Sequence, residues 1–115
     1  MVNDELDNKV KVYSWLDNTK DMVDKAKDIV AKAKDIVDKA KDMVAKDLAR
    51  LQQHFDNLII LVTDINNNVT NANNNRANYP EVIKYFNFAN EYEKNFNFNY
   101  KMINEIYNRI SFNLN

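Results

Sequence analysis

The chain has 115 residues, a formal net charge of -1, no cysteine, no glycine and a single proline. That length makes it one domain, the near-neutral balance recruits neither nucleic acid nor an acidic membrane, and the missing cysteines exclude disulfides, thiol chemistry and cysteine-based zinc sites. Without glycine, the usual phosphate loop, dinucleotide fingerprint, nucleophile elbow and calcium loop are also excluded, and Asn is left as the ready occupant of left-handed turn positions.

The acidic start MVNDELDNK has no signal-peptide pattern, and the longest aliphatic run, Leu58 to Val62, is far short of the ~20 residues that span a membrane. These features predict a protein that is cytoplasmic or enclosed in a particle. Asn68-Val69-Thr70 matches a glycosylation sequon, which without a signal peptide is read as incidental.

The first predicted element covers residues 1–65 and is a long amphipathic heptad helix. Its core is a repeat of four aligned heptads, DMVDKAK, DIVAKAK, DIVDKAK and DMVAKDL, starting at Asp21. An apolar column recurs every seven residues from Val2 through Leu16, Val23, Val30, Val37, Val44, Leu51, Leu58, Ile65 and Ala72, broken only by Lys9. A second column, Ala26, Ala33 and Ala40, is flanked by Ile29 and Ile36; a methyl between larger side chains lets another helix approach closely. On the opposite face Asp21, Asp28, Asp35 and Asp42 each precede a lysine by four residues, an order that gives a modest, salt-screened helix stabilisation of ~0.2–0.5 kcal/mol per pair.

Two irregularities mark this segment. Leu16-Asp17-Asn18-Thr19 has the residues to end one helix and cap the next, although the apolar column passes through without a phase slip. Ala40 to Val44 to Leu48 gives two consecutive steps of four, a stutter expected to unwind a supercoil locally and to change packing partner. Unbroken, a helix of this size would be roughly 90 Å long.

Residues 66–79, NNNVTNANNNRANY, read as an Asn-rich connection, because Asn side chains compete for local backbone groups. Residues 80–115 read as a shorter, aromatic-rich helix opened by Pro80 and Glu81, with Asn78 or Tyr79 as cap. The run NFNFNY alternates like a strand, yet Val82, Phe86, Ala89, Phe96, Tyr100, Ile103 and Tyr107 keep helical spacing over the longer window, with Glu93 the polar member.

The expected fold is therefore all-α, an elongated helical hairpin or coiled-coil bundle in which the C-terminal helix folds back on the region from Leu48 to Ala72 and leaves the repeat unpaired. An exposed apolar seam of that length predicts a protein partner, either the chain itself or another helical protein, and so an oligomer or a place in a larger assembly. The predicted interaction residues are Val23, Ala26, Ile29, Val30, Ala33, Ile36, Val37, Ala40 and Val44 on the repeat, with Phe96, Tyr100 and Tyr107 on the aromatic helix.

Chemistry is harder to find. His54 is the only histidine and has no metal-ligand spacing or nucleophile beside it, so no catalytic, metal or cofactor-binding residue is expected and the chain is read as a non-enzyme. The leading functional expectation is a helical structural or assembly protein, such as a minor component of a virion. One alternative is an amphipathic lipid-surface or protective protein, partly disordered when free; the balanced Asp/Lys face and the Ala line disfavour a lipid surface. The other is an inhibitor or adaptor that presents the aromatic helix to a target.

Overall fold

A computed structural model describes the backbone of residues 2–42 and 44–114 and the side chains of residues 4–42 and 44–109. Every element in it is a helix: α1, Val2–Asp17; α2, Thr19–Lys39; α3, Ala45–Asn74; and α4, Tyr79–Leu114. The all-α expectation stands, and the helices form a bundle.

The single 65-residue helix does not. It is interrupted twice, first at Asn18. The Asn18 N–H reaches back only to the Trp15 carbonyl at 3.0 Å, and the Asn18 side-chain amide donates to the Ser14 carbonyl at 2.8 Å, so the side chain closes α1 instead of capping α2. The second interruption is decisive for the architecture. At Ala40 the N–H is shared between the Ile36 and Val37 carbonyls, and by Val44 the backbone is extended, with φ -53° and ψ 133°. The Val44 carbonyl then accepts from the N–H groups of Asp47 and Leu48 to start α3.

The stutter at Ala40, Val44 and Leu48 is thus a chain reversal rather than an unwound supercoil. No glycine or second proline is needed, and no described residue has a positive φ, so Asn does not take left-handed positions either. What drives the reversal is burial. Folding back carries Val23, Ala26, Ala33, Val37 and Ala40 into the same core as Leu51, Leu58 and Ile65, where each is at most 8% exposed. Each larger side chain removed from water in this way contributes about 1.5–3 kcal/mol, against which the loss of a few helical hydrogen bonds in one turn is small.

The Asn-rich connection is also shorter than its composition suggests. Residues 66 to 74 remain in α3, and the turn is confined to Asn75 to Asn78. Ile65, Asn68, Val69 and Ala72 keep a buried face at helical spacing. The polar side chains pair with nearby carbonyls: Asn73 Nδ2 donates to the Val69 carbonyl at 2.9 Å, Thr70 Oγ1 to that of Asn66 at 2.8 Å, and Asn68 Nδ2 crosses to the Tyr85 carbonyl at 2.6 Å. Packing overrides the weak helix propensity of Asn. At the start of α4, Pro80 lies in the first turn and the Asn78 side chain accepts from the Glu81 N–H at 3.4 Å.

Helices α3 and α4 form a long antiparallel hairpin, closed near its turn by Ala72 against Val82 and farther along by a polar clasp described below. Helix α2 runs antiparallel to α3 and packs mainly on it and secondarily on α4. Helix α1 crosses the turn end of the hairpin, where Val12 and Leu16 bury against Ala72 and Val82, the Tyr13 hydroxyl donates to the Arg76 carbonyl at 2.9 Å, and Arg76 pairs with Asp17. The Trp15 and Phe86 rings meet edge to face, 5.3 Å apart. The molecule measures 58 × 26 × 19 Å, well short of the single-helix length.

Candidate protein-docking groove

The seam read from the sequence lies inside the bundle. Val23, Ala26, Ala33, Val37 and Ala40 are buried, Ile29, Val30 and Ile36 are half-buried at the edges of α2, and Val44 is exposed in the turn. On α4, Phe96 is buried and Tyr100 and Tyr107 pack half-buried against the same core. The Ala line does bring a helix close, but the helices it admits are α3 and α4 of the same chain. The expectation that the repeat is left unpaired is therefore corrected, because the reversal at 40–44 supplies its cover.

What remains open is the cleft on the α2/α3 side, away from α4. Val30 and Ala31 of α2 and Phe55, Ile59 and Val62 of α3 line a groove of about 450 Å³, with Lys27 and Lys34 on its α2 edge. Toward the α3 C-terminus it continues past Lys27 into a more polar stretch lined by Thr19, Lys20, Asn66, Thr70 and Asn73. Lys20, Lys27 and Lys34 recur every seven residues along α2 and so stand in one column, with Lys41 following in the turn.

The lysines beside the apolar stretch are free to act on a ligand. Among the described residues neither Lys27 nor Lys34 has an ion pair, whereas Lys41 lies 3.9 Å from Asp38. Across the groove the one acid next to Phe55, Asp56, accepts from the Gln52 amide at 3.1 Å. The half-buried Val30, Phe55 and Val62, with Ile59 beside them and a cationic edge on α2, are suited to an amphipathic helix lying along α2 and α3.

Another apolar surface belongs to α1. Residues 4 to 11 are exposed all round, and in this stretch Leu6 is 58% and Val10 63% exposed, four residues apart on one helical face. Ile60, Phe88 and Phe98 are exposed on outer faces of α3 and α4. A hollow of about 150 Å³ between α2 and α4, lined by Met22, Ala26, Ile29, Ile65 and Phe96, is too small for a helix.

His54 takes a structural part. Its Nδ1 lies 2.8 Å from Asn99 Oδ1, which also accepts from Asn57 Nδ2 at 3.1 Å, while Asn99 Nδ2 donates to the Asn95 carbonyl at 2.8 Å. With that oxygen as acceptor, His54 carries its proton on Nδ1. The result is a polar clasp that ties α3 to α4 and fixes their register. No group of three or more His, Asp or Glu side chains among the described residues could hold a metal ion.

Sequence reasoning missed Phe55, Ile59 and Val62 as groove residues because the chain reversal was not visible. The lysine column beside the Val23, Val30 and Val37 column was the available signal. Among the described residues, no helix is long and apolar enough to cross a membrane. No protein-family model, curated protein or solved structure matches this chain.

Proposed function

We propose that the protein is a non-enzymatic helical module that works by protein–protein association through the α2/α3 groove. The observation that carries this reading is the apolar floor of Val30, Ala31, Phe55, Ile59 and Val62 beside Lys27 and Lys34, which have no ion pair among the described residues. Association through the seam of α2 itself would require the bundle to open, at the cost of the core around Ala33 and Leu58. The groove needs no such rearrangement.

The absence of cysteine makes a clean reporter available. Ile59 is 42% exposed, so Ile59→Cys labelled with an environment-sensitive fluorophore retains the core and reads occupancy of the groove. Titration with a synthetic amphipathic helix, with Leu on one face and Glu flanking it, should shift the emission to the blue and saturate. An unchanged spectrum with both this peptide and excess unlabelled protein would remove the basis for the reading.

A further inference from the structure

We infer that the groove takes the N-terminal half of α1 from a second copy of this chain, giving a head-to-tail contact. The inference rests on the groove reading above and names its occupant. Two surfaces left uncovered by the fold complement one another. The groove is apolar with a lysine edge, and the exposed half of α1 carries Leu6 and Val10 on one face, flanked by Asp7 on one side and, on the other, by Lys9, which lies over the Tyr79 ring of its own chain.

Residues 4 to 11 gain little from their own bundle. A two-turn helix without packing is marginal in water, because helix nucleation is unfavourable and few hydrogen bonds follow it. Its helical form with two bare aliphatic side chains is the arrangement a docked helix requires. Leu6 and Val10, at i and i+4, would lie along the floor between Val30 and Phe55, placing Asp7 near Lys27 and Lys34.

The same molecule's α1 is held away from its own groove. Val12 and Leu16 are buried at the turn end, Tyr13 stacks on Tyr79 at 5.9 Å and bonds to Arg76, and Lys9 lies over the Tyr79 ring at 5.1 Å. Pairing this face of α1 with the groove of another copy matches apolar to apolar and sets Asp7 against the lysine edge. Such an interface is heterologous, so it builds rings or open chains instead of stopping at a dimer. Its small size makes it reversible.

Sedimentation of the full chain up to millimolar concentration tests this, together with Leu6→Asp and Ile59→Asp, both at exposed positions and each checked for unchanged helicity. The wild type should grow in mass with concentration, less so at high salt, and each variant alone should weaken self-association at least about tenfold. An equimolar mixture of the two should form dimers and nothing larger, since one intact α1 and one intact groove remain. A wild type that stays monomeric, or variants whose mixture fails to pair, would overturn the proposal. If the Ile59 reporter responds to the acidic helical peptide while the protein stays monomeric, the groove reading stands and the self-contact does not.

Discussion

Single side chains explain which parts of this molecule tolerate change. Ala33 and Ala40 are fully buried where α2 meets its neighbours, so the methyl is a spacing device. Ala33→Leu should lower stability by about 1–3 kcal/mol through overpacking, seen as a lower urea midpoint with an unchanged slope. Asn99 is the shared acceptor of His54 and Asn57, and Asn99→Ala leaves both donors without it in a partly buried site. A loss of about 1–3 kcal/mol is expected, measured in the same way. By contrast, the Asp35 to Lys39 pair at 3.0 Å is exposed on both sides, and Asp35→Ala should leave the midpoint essentially unmoved. The exposed Asp35 and Lys39 thus add little to stability, while the apolar columns set the packing.

The elements were legible in the sequence to different degrees, for identifiable reasons. The spacing of Val82, Phe86, Ala89 and Phe96 was enough to identify α4 as a helix despite the alternation in NFNFNY, because one long apolar face outweighs a short local pattern. The heptads of α2 were equally visible. Their partner was not, since an apolar stripe says that something covers it without saying what. The reversal at 40–44 lacks Gly and Pro, so local chemistry did not mark it beyond the phase change at Ala40, Val44 and Leu48. The Asn cluster misled in the other direction: Asn68 and Asn73 find partners on α4 and α2 that cannot be read from their immediate neighbours. The extended Val44 offers a test at this scale. Its φ of -53° suits proline, so Val44→Pro should change stability by less than about 1 kcal/mol, whereas Val37→Pro inside α2 should cost about 3 kcal/mol or more. Equal penalties at the two positions, read by thermal melting, would contradict a turn at 44.

For the whole molecule, the reversal changes the functional argument more than any other feature. It converts a presumed open seam into a core and leaves as available surfaces a lysine-edged groove and a bare helical arm. The candidate site was therefore only half legible in the sequence: Val30 is conspicuous as an apolar position, but its exposure and that of Leu6 depend on a chain path that no short motif encodes. The central structural claim is that α2 lies back along α3, with Lys27 and Asn66 lining one groove. Spin labels on Lys27→Cys and Asn66→Cys, in an otherwise cysteine-free chain diluted with unlabelled protein, measure that placement directly. The fold predicts a short separation, within about 20 Å, that survives dilution; a distance near 58 Å, about 39 residues of continuous helix at 1.5 Å each, or a short distance lost on dilution, would contradict it.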